Sequence, residues 1–423
     1  MLRRELGVFG ATMLGLGAMV GTGVFVSIGV AAGAAGSAVV LAIAAAVPLA
    51  VCNALSSAQL AASHAVSGGT YEYGYRYLNH WAGFTAGWMF LCAKSASAAT
   101  AALGFAGYFA RLAGLDHATT MTGLAVGAVV LLTVLVMLGI KRSSWANAVI
   151  VSVTLASLAL FVIAGLPSLA DGGGSRPTPF VPVGGEGGLR GFLYATALMF
   201  VAYTGYARIA TLGEEVREPR KNIPRAIIAT LLVSSMLYVA VAVVAVGVVG
   251  PERLAEVAAA DATPLEAAAR ASSLPWVAKV VAIGSVTAML GVLLNLLLGL
   301  SRVALAMGRQ GDLPRVFARL SRGDVPSAGV LGAGTVVALL TIAGNVETTW
   351  AFSAFTVLIY YALTNLAALR LPEHERLYPR GIAVAGLVGC LSLAFWVPPK
   401  VWLAGCAFLM AGLAWHWLAR RPR

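Results

Sequence analysis

Polar residues in this chain are gathered into short intervals between long apolar runs. The runs measure roughly 18 to 25 residues, the length of helix that crosses a hydrocarbon core of about 30 Å. About 12 of them can be counted, at residues 8–33, 37–62, 81–112, 122–140, 145–166, 191–213, 225–249, 276–307, 327–345, 348–370, 381–397 and 400–418. The pattern predicts an all-α integral membrane protein with about 12 transmembrane helices in one domain over residues 1–423. The first run is too long to be a removable signal peptide and is expected to stay in the protein. Residues 168–190, rich in Gly and Pro, read as a loop, and 250–275 as a connection carrying short helices.

Two runs are interrupted from within. Residues 17–23 read Gly-Ala-Met-Val-Gly-Thr-Gly, three glycines in the middle of the first span. Glycine costs a helix interior roughly 1 kcal/mol relative to alanine. In hydrocarbon every amide and carbonyl freed by a break also needs a new partner. The sixth span repeats the feature at Val201-Ala-Tyr-Thr-Gly-Tyr206, with Gly205 at mid-span. Interrupted helices at the head of two sets of five point to an inverted-repeat transporter with its site at the bilayer midplane. The N-terminus of a half-helix offers free N–H groups to an anion, and the carbonyl end of another accepts from an ammonium. A zwitterionic amino acid satisfies both. The competing reading is that Gly17 and Gly21, four apart, only let helices pack closely.

Composition fixes the solvent. The chain is 59% hydrophobic and 11% charged, with mean hydropathy +0.86, whereas soluble domains carry roughly 25% charged residues. When loops are assigned alternately to the two sides, about 20 Lys and Arg fall with the N-terminus and about 7 opposite, which places both termini in the cytoplasm. Arg3, Arg4, Lys141, Arg142, the segment from Arg217 to Arg225, the arginines from Arg309 to Arg322, and Arg420, Arg421 and Arg423 all agree. The net charge of +12 therefore reports topology and anionic lipid rather than nucleic acid. Cys52, Cys92, Cys390 and Cys406 lie within apolar spans, and His64, His80, His117, His374 and His416 are scattered. No disulfide, metal site or cofactor is expected. No nucleotide-binding or hydrolase motif stands in a suitable context, which disfavours a primary pump; a channel and a membrane enzyme remain as remote alternatives.

Several blocks together carry a family resemblance: GAMVGTGVF (17–25), VSGGTYEYGYRYL (66–78), VAYTGY (201–206) with GEEVREPRKNIPRAI (213–227), and SRVALAMGRQGDLP (301–314). On these the chain resembles, over almost its whole length, the amino acid/polyamine/organocation superfamily of permeases, and within it the bacterial permeases related to cationic amino acid transporters. The resemblance implies a LeuT-like fold. Its two inverted repeats of five helices would cover about 8–166 and 191–370, followed by two further helices at about 381–418. It implies alternating access by a secondary transporter in the cell (inner) membrane, as monomer or homodimer, with no bound cofactor. Carried over to this sequence, the substrate carboxylate meets Gly21, Thr22 and Gly23. The amine meets carbonyls of Met19, Val201, Ala202 and Thr204 around Gly205. Tyr203 and Tyr206 are gate candidates, with aromatic packing as the alternative.

The chain departs from the family pattern in two places. Proton-coupled relatives of the cationic transporters carry a lysine on the fifth helix. Matching residues 147–161 to that helix puts Thr154 there, and a threonine cannot carry the proton. Thr154 would suit a sodium site with carbonyls of Gly17 and Val20. The second departure is Lys94, about 13 residues past Trp81 and so roughly 20 Å into the membrane. An ionisable group at that depth faces the bundle interior and is functional by default. Lys94 is read as the replacement proton carrier, or as a fixed charge selecting the substrate; a structural tie to backbone carbonyls is the competing reading. The favoured coupling ion is H⁺, with Na⁺ or simple exchange as alternatives. A charge at Lys94 opposes cationic substrates, so neutral amino acids are expected, with acidic ones next. Arg208 is read as an intracellular gate or a structural anchor. Its spacing of six and seven from Glu214 and Glu215 is wrong for a bond within one helix.

Overall fold

The computed structural model describes residues 6–64, 68–115, 117–139, 144–170, 188–210, 216–321 and 324–420. Glu214, Glu215, Lys141, Arg142 and the terminal arginines Arg3, Arg4, Arg421 and Arg423 lie outside these, as does most of the expected loop at 168–190. Among the described residues the chain is helical, and its one extended pairing is a parallel bridge between Leu6 and Val216.

Helix boundaries follow local chemistry. Helix α1 covers Val8–Met19, and after the first break α2 covers Ile28–Ala35 and α3 Val39–Ser63. A short α4, Thr70–Tyr77, leads to the long α5, His80–Ala113. Asn79 caps α5 by accepting from the Ala82 N–H at 2.8 Å, and Gly114 ends it in the left-handed conformation at φ 65°. Then come α6 (His117–Met137), α7 (Ser144–Ala170), α8 (Gly188–Tyr203) and the single turn α9 (Ala207–Ala210). Helix α10, Pro219–Val249, starts six residues before the expected span because Pro219 suits a first helical turn. The connection that follows holds α11 (Pro251–Ala260) and α12 (Pro264–Arg270), the short helices anticipated there. The last elements are α13 (Val277–Arg309), α14 (Ser327–Ala343), α15 (Val346–Leu369), α16 (Arg380–Ala394) and α17 (Pro399–Ala419). At the head of α15, Asn345 and Thr348 cap each other reciprocally.

Among the described residues, seven helical stretches are long and apolar enough to cross a membrane, and four shorter apolar helices accompany them. Large apolar side chains such as Leu131, Met236, Leu339, Ile342 and Met410 are more than half exposed, as a lipid-facing surface requires. The interior is built differently. Helix α5 turns a face of Ala, Gly, Ser and Thr inward and packs along α13 and α15, so backbones approach closely where bulky side chains would hold them apart. That face carries Lys94 into the centre of the bundle.

Candidate substrate site at two helix breaks

The first break is an outright loss of helix. Helix α1 stops at Met19, and Val20 is extended at φ −82° and ψ 97°. The chain re-enters helix through a wide π-type turn, Gly23–Ser27, in which the N–H groups of Val24 and Phe25 both reach the Gly21 carbonyl at 3.1 Å. Carbonyls freed by the break find side-chain donors. Ser27 donates to Thr22 O at 3.1 Å, Tyr108 to Phe25 O at 2.8 Å and Tyr238 to Met19 O at 2.7 Å. The Thr22 hydroxyl is buried with no hydrogen-bond partner among the described residues, a costly position unless a ligand completes it.

The second break is milder than its glycine suggested. Instead of unwinding, Thr204–Tyr206 tighten into a 3₁₀ turn between α8 and α9. The Thr204 hydroxyl donates to Val201 O at 2.8 Å, and Tyr361 donates to Thr204 O at 3.2 Å. Gly205 serves contact as well as conformation: a Cβ there would stand 2.6 Å from the backbone of Ala18 and Met19. A Cβ on Gly23 would meet Ala202 Cβ at 2.4 Å, and one on Gly17 would meet Asn147 Oδ1 at 2.5 Å. Close packing and helix breakage therefore coexist. The small residues bring the two broken helices against each other at the level of their breaks.

Between them lies a chamber of about 40 Å³, walled by Met19, Thr22, Gly23, Val201, Ala202, Thr204 and Gly205 with Lys94, Ser97 and Trp350. Lys94, Thr204, Gly205 and Leu296 also border a vestibule of about 290 Å³ that reaches the surface at the exposed Arg302 and Arg309. Lys94 is 8% exposed, and its Nζ donates to the Thr204 hydroxyl at 3.1 Å. Arg208 lines the same vestibule, and among the described residues neither cavity has an Asp or Glu in its wall. The approach is thus electropositive, attractive to a carboxylate and repulsive to a second cation.

The remaining nominated residues fall around this chamber rather than in it. Thr154 spends its hydroxyl on Ile150 O of its own helix at 2.8 Å and borders neither cavity. The Gly17 carbonyl faces the Asn295 amide at 3.5 Å, and Val20, buried at the break, borders neither cavity. Tyr203 and Tyr206 are fully buried behind the second break, their rings against Tyr238 and Tyr361 at 5.2 and 5.6 Å. Residue-by-residue reading passed over Tyr238, Tyr361 and Trp350. For the two tyrosines the available signal was a phenolic hydroxyl at mid-span, where hydrocarbon supplies no partner for it; Trp350, near the start of α15, gave no such signal.

A polytopic helical bundle with two apposed helix breaks around a central chamber is the architecture of a membrane transporter. The family model described as "Amino acid permease" matches residues 10–420, so this chain belongs to the amino acid permease family and is a transporter, not an enzyme. An uncharacterized transporter of Mycobacterium tuberculosis is 43% identical over 422 residues, covering 99% of this chain and 92% of the relative. The branched-chain amino acid permease BcaP of Bacillus subtilis is 30% identical over 437 residues, with 99% and 90% coverage. Cationic amino acid transporter 4 of Homo sapiens is 31% identical over 398 residues, covering 87% of this chain and 60% of the relative.

Proposed function

We propose that this permease is a secondary active transporter that takes up neutral amino acids by alternating access, driven by protons, in the cell inner membrane with both termini cytoplasmic. Its repeats would be residues 8–166 and 191–370, with 381–418 added. The observation that carries the reading is the Lys94 ammonium standing where chamber and vestibule meet, beside the second break. A substrate carboxylate would be received by Thr22 and the backbone of Gly21 and Gly23, and its ammonium by the carbonyls of Met19, Val201, Ala202 and Thr204. Lys94 is the group that would take up and release the coupled proton. The positive vestibule favours neutral over cationic substrates, in keeping with the branched-chain permease rather than the cationic transporter among the relatives.

The test is uptake of radiolabelled amino acids into liposomes holding the purified protein, under an inward proton gradient and separately a sodium gradient. The expected result is proton-driven accumulation of a neutral amino acid that Lys94→Ala abolishes. Sodium-driven accumulation surviving that substitution would move coupling toward Thr154, and flux only against internal substrate would make the protein an exchanger.

A further inference from the structure

We infer that Tyr238 is the strap that ties the two helix breaks into one unit, and through them a positioning residue for the substrate's ammonium. The second half of this statement rests on the amino acid reading above; the first does not. Tyr238 lies on α10, fully buried, and its hydroxyl is 2.7 Å from Met19 O and 3.3 Å from Ala202 O. Met19 is the last residue of α1, and Ala202 stands in the final turn of α8. Carbonyls at such positions lack intrahelical donors. One side chain therefore bridges the exposed carbonyl ends of both broken helices.

A buried tyrosine needs only one acceptor to be satisfied, and most find it on a neighbouring helix. Tyr238 instead sits within reach of two carbonyls on different helices, and both of those residues wall the chamber while Tyr238 itself does not. It approaches from behind. Each carbonyl oxygen has two lone pairs, so the one nearest the strap is held while the other stays available to the chamber. The hydroxyl's single proton is shared between the two carbonyls in a three-centre bond, in which the shorter contact to Met19 is the stronger arm and the Ala202 carbonyl the more open acceptor. The breaks already touch where Gly23 meets Ala202 and Gly205 meets Ala18 and Met19, with no room for a further side chain between them, so a polar tie between their carbonyls has to come from behind. The ring of Tyr203, 5.2 Å away, holds the strap's own ring in place.

Removing the hydroxyl should let the two carbonyl ends drift apart without disturbing the N–H groups that would receive the carboxylate. Two measurements on purified wild type, Tyr238→Phe and Tyr361→Phe test this. In proteoliposomes, Tyr238→Phe should raise KM for L-leucine about tenfold while the maximal rate stays within about twofold. The inhibition constant of its 2-hydroxy analogue, which has no ammonium, should be unchanged. Without substrate, hydrogen–deuterium exchange in Tyr238→Phe should speed up together in peptides covering residues 19–24 and 202–206; in Tyr361→Phe, whose hydroxyl reaches Thr204 O and Tyr206, both in the second break, it should speed up in the second alone. Equal losses for leucine and the hydroxy acid would overturn the positioning role. Faster exchange at one break only, or at neither, would overturn the strap. Joint loosening in a protein whose wild type moves no amino acid would leave the strap standing and refute the amino acid reading.

Discussion

Lys94 and Thr204, 110 residues apart in sequence, form a buried hydrogen bond of 3.1 Å from amine to hydroxyl, and the same hydroxyl donates its own hydrogen bond to the Val201 carbonyl at 2.8 Å. Lys94 on α5 is thereby joined to the carbonyl end of the broken helix α8. Any change in charge or position at Lys94 is felt directly by the second break.

This relay can be cut at its middle. A hydrogen bond to a charged group contributes roughly 1.5–3 kcal/mol, so Thr204→Val should lower initial uptake by about tenfold or more. Thr204→Ser, which keeps the hydroxyl, should stay close to wild type. Paired uptake and melting measurements separate this from misfolding, since a fall in Tm that accounts for the lost activity would refute the functional link.

The close approach of the two breaks has its own signature. Gly205→Ala puts a methyl 2.6 Å from backbone atoms that cannot step aside, and overpacking of this kind costs about 1–3 kcal/mol. Transport should be lost and Tm should fall. Gly123→Ala on α6 is the matched control, because a Cβ there meets nothing within 4 Å. That variant should retain full uptake and gain slightly from alanine's better helix propensity.

Outside both cavities, Asp312 is buried just past the end of α13 and gathers polar groups from α4 and from the C-terminal end of α17. Tyr71 and Tyr75 of α4 donate to its Oδ2 at 2.8 and 2.6 Å; toward Oδ1, Arg420 just beyond α17 stands at 3.4 Å and His416 Nδ1 at 3.2 Å. Burial, with the adjacent carboxylate, pushes both phenols well above their ordinary range, so they remain donors across the physiological pH interval. Removing one member of such a buried network costs about 3–5 kcal/mol. Asp312→Asn should therefore lower Tm markedly, and Tyr75→Phe by less. An unchanged melting curve in Asp312→Asn would show that the last helix is held by lipid-facing contacts instead.

The helices themselves were legible because membrane-spanning segments announce their lengths locally. The run expected at 81–112 is α5, and that expected at 348–370 is α15 to within two residues. The breaks were legible for an equally local reason, since Gly21, Gly23 and Gly205 weaken helix wherever they stand. Their form was not: Val20 unwinds while Thr204–Tyr206 merely tighten, and the difference depends on what the neighbouring helices offer to the freed carbonyls.

What the sequence alone determined is thus the all-helical class, the place of long helices such as α5 and α15, two interruptions and the presence of a lysine deep in an apolar run. Only tertiary structure decided that Lys94 meets Thr204, that Tyr238 spans Met19 and Ala202, and that Asp312 joins α4 to the C-terminal helix. The physical reason is that lipid is as apolar as the interior. Hydrophobic pattern then fixes which segments cross the membrane and leaves their rotation undetermined, whereas small residues and a few polar atoms, satisfied only across helices distant in sequence, select the one arrangement that pairs them.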